Sequence, residues 1–317
     1  MQSSSTLFPV ALASAERRGD LSEDVYLVKA NNSLDFTTEL AVTRLGLCAP
    51  RAGRGPAVVL LHGAFSNRRF WYSPSGLGLG PALARAGYDV WIPEMRGHGL
   101  SPRNQGYASN RVDDYARYDL PAINAFVSEM NGRRPHWVGH SLGGTTLAMA
   151  LGLGSLTHEH IASAALFGSQ VSRCRGAMRW WPINWLLRTA LRRFDHISGR
   201  RFKRGPEDEP TGVAVELLRG YRKPGPWWAA LADSQVPLLA VAGAGDLQDP
   251  AWACRALFEQ AGGEPRLFVE LSQAAGYTRD FGHVEMLLGE AAEQEVWPLL
   301  ERWLRQADDI GHKSHAA

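Results

Sequence analysis

The chain has 317 residues, 45% hydrophobic and 21% charged, with a formal net charge of +2. That length can bury a substantial core, and near-neutral charge without an RNA- or DNA-reading motif argues against a nucleic-acid partner. Three cysteines, Cys48, Cys174 and Cys254, lie far apart without a CxxC pair, which weighs against a disulfide framework or structural zinc and makes a reducing, cytoplasmic setting the expectation.

The apolar stretch 7–15 has the outline of a signal peptide but carries Pro9 and no basic residue before it. It reads instead as a frayed or packed leader. Segments 24–30 and 35–46 alternate in polarity and read as an antiparallel hairpin joined through Asn31-Asn32-Ser33. From residue 56 short apolar runs alternate with helical patterns, the signature of a parallel sheet covered on both faces. Strands are expected at 57–61, 89–92, 135–138, 162–167, 238–241 and 267–271. Helices are expected at 80–86, 112–130, 142–151, 250–260 and 284–306, the last broken near Pro298. No run approaches the ~20 apolar residues of a membrane span.

Between two of these strands the interval 172–228 is too long for an ordinary loop. It reads as a helical cap inserted into a discontinuous core made of 1–171 and 229–308, and 309–317 reads as a disordered tail. Ten Lys or Arg and one acid, Asp195, fall between Arg173 and Arg204, together with Trp180, Trp181 and Trp185. Ile183, Leu186, Leu187, Ala190, Leu191 and Phe194 have the spacing of a one-sided helix. That stripe is expected to pack on the sheet with its arginines in water; the alternative is contact with a lipid headgroup or an anionic membrane. An acidic patch follows at Glu207-Asp208-Glu209-Pro210.

The pentapeptide Gly139-His140-Ser141-Leu142-Gly143 stands between an expected strand and a helix of small residues. A serine at such a corner is held with its hydroxyl above the sheet, and glycines are needed where backbones nearly touch. Ser141 is therefore the candidate nucleophile. Its base is assigned to His283, in the loop after the last expected strand. Asp246, ending a buried strand and a glycine-rich turn, is the candidate orienting acid, with Asp249 as the alternative. Oxyanion donors are expected from the backbone N–H of Leu142 and of Ala64, with Phe65 second to Ala64. His62 is expected to order its turn, and His158 and His160 to lie in a solvated loop. No metal or organic cofactor is implied.

These pieces, with Leu60-Leu61-His62-Gly63, Arg96-Gly97-His98-Gly99-Leu100-Ser101 and Phe281-Gly282-His283, together resemble the α/β-hydrolase superfamily over roughly residues 56–306. The resemblance implies a mostly parallel sheet with helices on both faces, a Ser-Asp-His triad, and a structural role for the stretch starting at Arg96. Residues 86–91 and 246–250 are similar to the acid-lipase branch and to bacterial capped hydrolases, which favours Asp246 over Asp249 and Ala64 as donor. The cap departs from the animal lipases. The expected activity is cleavage of lipophilic carboxylic esters through an acyl-enzyme. The alternatives are a thioesterase, acyltransferase or serine-aminopeptidase-type hydrolase, and a non-catalytic ligand receptor on the same scaffold.

Overall fold

Runs such as Ala57-Val58-Val59-Leu60-Leu61 are buried on both faces, so they form strands covered from either side rather than a half-wet sheet. The computed structural model describes residues 5–48, 55–173, 176–221 and 224–314. The central sheet is built from β1 (Val10–Arg18), β2 (Leu21–Val28), β3 (Leu40–Leu47), β4 (Ala57–Leu61), β5 (Asp89–Pro93), β6 (His136–His140), β7 (Ser163–Phe167), β8 (Leu238–Gly243) and β9 (Arg266–Leu271). They form one sheet in the order β1-β2-β3-β5-β4-β6-β7-β8-β9. Pairing is antiparallel from β1 through β5 by way of β3, and parallel from β5 to β9.

Two buried clusters flank the sheet. One contains Trp91, Phe126, Trp137 and Leu147, the other Trp71, Phe167, Phe281 and Leu300. The covering helices are α1 (Leu79–Arg85), α2 (Leu120–Asn131), α3 (Leu142–Gly152), α6 (Ala251–Gln260) and α7 (Trp297–Ser314). Among the described residues no helix is long and apolar enough to cross a membrane.

Several expectations are corrected. The leader is an edge strand, β1, paired antiparallel with β2 from Val10↔Val28 to Arg18↔Leu21 with a register shift between Leu12 and Ser14, and the hairpin's second arm begins only at Leu40. The single helix expected over 112–130 is interrupted by a π turn, Tyr115–Asp119, ahead of Pro121. A second π turn, Ala292–Val296, precedes Pro298. Proline brings no N–H for the carbonyl four residues back, and a wider turn accommodates that gap. Helix α7 extends to Ser314, through most of the expected tail; 315–317 lie outside the described residues, as does Cys174.

Between β7 and β8 the chain leaves the sheet and forms α4 (Trp181–Leu191) and α5 (Thr211–Gly220). The apolar stripe of α4 does not pack on the sheet, because Asn184 is the helix's one buried residue. Its side-chain amide donates to the carbonyls of Leu218 (2.9 Å) and Met178 (3.1 Å), which fastens α4 to α5. Asn184→Ala removes both bonds and leaves buried acceptors unpaired, an expected loss of about 1–3 kcal/mol. Urea unfolding with limited proteolysis of the insertion checks this; an unchanged midpoint and cleavage pattern would contradict it.

Candidate active site

Ser141 joins β6 to α3 at φ 53° and ψ −119°, a strained positive-φ corner. The corner is held from both sides. The Ser141 N–H donates to the Phe167 carbonyl at 2.8 Å, and its own carbonyl accepts from the Ser169 hydroxyl and the Thr145 N–H, both at 3.0 Å. A Cβ on Gly139 would lie 2.6 Å from Gly144 Cα, and one on Gly143 2.4 Å from the His62 carbonyl oxygen. Both glycines are thus sterically required, as expected from the pentapeptide.

His283 lies in the loop after β9, and its Nδ1 is 2.7 Å from Asp246 Oδ2. The other Asp246 oxygen accepts the backbone N–H groups of Gln248 (2.7 Å) and Asp249 (2.8 Å), which orients the carboxylate. Gly168, at φ 54°, clears space for this pair: a Cβ there would fall 3.2 Å from His283 Nδ1 and 3.3 Å from Asp246 Oδ2.

Ser141 and His283 face a common neighbour without bonding to each other. The hydroxyl of Ser141 donates to Asp249 Oδ2 at 3.4 Å, and that oxygen is 3.8 Å from His283 Nε2. The Gln248 amide nitrogen, 2.9 Å from Nε2, donates to the lone pair that would accept the serine proton. Gln170 holds the second Asp249 oxygen at 3.0 Å. Asp246 therefore contacts the Nδ1 side of the imidazole, whereas Asp249 flanks the Nε2 side.

Among the described residues no acceptor takes the backbone N–H of Ala64 or of Leu142. Leu142 lies at the first position of α3, where N–H groups lack intrahelical partners. The second-choice donor, Phe65, is corrected. Its N–H is occupied by Glu209 Oε2 at 2.9 Å.

His62 orders its turn, with Nδ1 donating to the Gly63 carbonyl (2.8 Å) and Nε2 accepting from the Met95 N–H (3.2 Å). Burial, and then the neighbouring His98, lower its pKa to about 3, so it is neutral near pH 7. The stretch starting at Arg96 is also structural. Arg96 pairs with buried Asp119, and Ser101 bridges the Glu94 carbonyl and the Ala41 N–H.

Three contributors were not legible as site residues. His140 stacks on Phe70 at 4.5 Å, and its Nε2 donates to the His283 carbonyl at 2.9 Å, pinning the histidine loop. Burial, and then His283, lower its pKa to about 3, which keeps it a neutral donor. Gln248 occupies His283 Nε2. Glu209, from the insertion, grips both Phe65 and His98. A local signal existed only for His140, which lies inside the pentapeptide.

A cavity of about 640 Å³ lies beside α3, between α5 and the 108–117 segment. Thr145, Met149 and Leu153 line it, spaced four residues apart in continuation of Ser141. They lie along one side of the helix that begins directly after Ser141.

Residues 56–259 match the family model described as alpha/beta hydrolase fold. The chain is 39% identical to human Lipase member K over 111 residues, which are 32% of this chain and 27% of that protein. It is 39% identical to human gastric triacylglycerol lipase over 103 residues, 29% and 26% of the two chains. The match thus spans about a quarter of the length of these curated relatives. Among solved structures, the Paleococcus ferrophilus monoacylglycerol lipase superposes with a TM-score of 0.60 at 19% identity, covering 84% of this chain and 99% of that one. A thermophilic esterase from Thermogutta terrifontis gives 0.59 at 18% identity, covering 87% and 96%. At such identities the likeness is one of fold.

Proposed function

The chain belongs to the alpha/beta hydrolase family, and from that premise we propose that it is a serine hydrolase of lipophilic carboxylic esters. The observation that supports the reading is a strained Ser141 that shares Asp249 as a neighbour with an imidazole held by Asp246 at 2.7 Å, with the backbone N–H groups of Ala64 and Leu142 uncommitted. A purely binding scaffold has no need of that combination.

In the proposed cycle the Gln248 amide leaves His283 Nε2, and the Ser141 hydroxyl turns from Asp249 to replace it. His283 takes the serine proton as Oγ attacks the ester carbonyl. Asp246 holds the correct tautomer and stabilises the imidazolium. The N–H groups of Ala64 and Leu142 receive the oxyanion. The imidazolium then protonates the departing alcohol, and a water activated by the same base releases the acid. The apolar part of the cavity, including Met149, Val171 and Trp227, supports a lipophilic substrate, as does the partial similarity to lipases.

Two measurements test the reading together. A fluorophosphonate probe is expected to label Ser141 stoichiometrically, and kcat/KM for p-nitrophenyl esters is expected to rise from short to medium acyl chains. Matched thioesters and aminoacyl anilides are expected to react more slowly. Absence of labelling, or a preference for anilides, would defeat the proposal.

A further inference from the structure

The outer face of the insertion is apolar and cationic at once. Trp180, Trp181, Trp185, Leu186, Phe194 and Phe202 are each more than half exposed. On α4, Trp181 and Trp185 are one turn apart, and the inner contact is made through Asn184 instead. A face this rich in exposed tryptophan and leucine costs hydration free energy in a monomer in water and marks an interaction surface.

The charges around it specify the partner. Arg179, Arg192, Arg193, Arg201, Lys203 and Arg204 are exposed, and none has a carboxylate at salt-bridge distance among the described residues. Ten cations and one acid lie between Arg173 and Arg204, in a chain whose total charge is only +2, so positive potential is concentrated on this face. Tryptophan and leucine on a helix flanked by arginines suit the headgroup boundary of a bilayer, with rings in the acyl region and guanidinium groups on phosphates.

The face also connects to the site. Exposed Arg192 and Phe194 line the 640 Å³ cavity together with Thr145 and Met149 of α3, the helix that starts directly after Ser141. We propose that the outer face of the insertion docks on anionic lipid bilayers, and that the cavity at its foot receives the acyl chain of a lipid drawn from that bilayer toward Ser141. The second half rests on the ester-hydrolase reading; the docking does not.

The test uses the full chain as Ser141→Ala, so that lipid is not consumed. Vesicles of phosphatidylcholine containing phosphatidylglycerol are compared with vesicles of phosphatidylcholine alone. Co-sedimentation and a blue shift of tryptophan fluorescence are expected with the anionic vesicles only, weakening at high salt. Trp181→Ser/Trp185→Ser is expected to reduce that binding by about tenfold or more. The same double variant on the active chain is expected to keep kcat/KM for a soluble p-nitrophenyl ester within about twofold, showing that it folds.

Equal binding to both vesicle types, no binding, or binding indifferent to the two tryptophans would overturn the proposal. So would a solution dimer that the double variant dissolves, since the face would then be a contact between two copies, or tighter binding to single-stranded RNA than to anionic vesicles. Failure of Ser141 labelling with vesicle binding intact would instead count against the hydrolase reading and the chain-drawing step.

Discussion

Ser141→Ala is expected to lower kcat for a p-nitrophenyl ester by about 10⁶-fold, the size of loss seen when the serine of a triad is removed from a serine hydrolase. The fold is expected to survive. The hydroxyl makes a single 3.4 Å bond to Asp249, whereas the strained corner is held by backbone bonds at 2.8 and 3.0 Å that alanine keeps. A thermal midpoint near that of the parent, with fluorophosphonate labelling abolished, completes the expected result.

His283→Ala is expected to fall about as far, and the double variant little further, because nucleophile and base act as one unit. The same series separates the two carboxylates. Asp246→Asn is expected to cost about 10⁴-fold, since an amide there favours the wrong imidazole tautomer. Asp249→Asn is expected to cost far less, because Asp249 contacts the serine without orienting the base. If Asp249→Asn matched His283→Ala while Asp246→Asn stayed active, the proton would be leaving Ser141 toward Asp249, and the proposed cycle would be wrong.

Much of the sheet was legible because a buried parallel strand needs a continuous apolar run. The run at 57–61 coincides with β4, and the strands expected at 89–92, 162–167 and 267–271 differ from β5, β7 and β9 by one residue at an end. Strand β1 was missed for the opposite reason. Its residues Val10–Arg18 are mostly exposed on a sheet edge, so no periodic burial marks them. Pro298 was read as a break, but the equivalent device at Pro121 went unread because the pattern on either side of it stays helical.

The stripe on α4 shows where periodicity stops being informative. Spacing identifies the residues that share a helix face, whereas what that face meets depends on tertiary placement. Here Asn184, a polar residue at the centre of the segment, supplies the inward contact, and the tryptophans point outward. Glu209 was visible only as one acid among three. Its partners lie 144 and 111 residues away, and a contact of that range leaves no local mark.

That long-range contact carries the second large prediction. Phe65 adopts φ 58°, an uncommon conformation for a phenylalanine, directly after the proposed donor Ala64. The insertion holds it there from three sides. Glu209 accepts the Phe65 N–H, the Glu207 N–H donates to the Phe65 carbonyl at 3.1 Å, and Gly205 lies so close that a Cβ would come within 2.1 Å of that carbonyl oxygen. Glu209 is 2% exposed and also receives His98 Nε2 at 3.3 Å.

Glu209→Ala releases the Phe65 amide, lets the loop relax from φ 58°, and moves the Ala64 N–H off the developing oxyanion. The expected loss is about 10²–10³-fold in kcat, as for removal of one oxyanion donor, with KM little changed. Glu209→Gln keeps an oxygen for the Phe65 N–H and is expected to recover most of the activity. A general loss of folding would not produce that split.

The pH dependence has a definite sign. Burial is the largest influence on His98 and disfavours its protonated form, but the Glu209 carboxylate, the Arg96 carbonyl and Glu207 together raise the pKa above the ordinary histidine value. The ion pair therefore stabilises the fold fully below about pH 6.5, and that contribution is lost as pH rises through the raised native value. The stability difference between the parent chain and His98→Gln, followed by urea unfolding, should accordingly be largest in mild acid and shrink in alkali. If Glu209→Ala retained full kcat, or if the difference grew with pH, the oxyanion loop would owe nothing to the insertion.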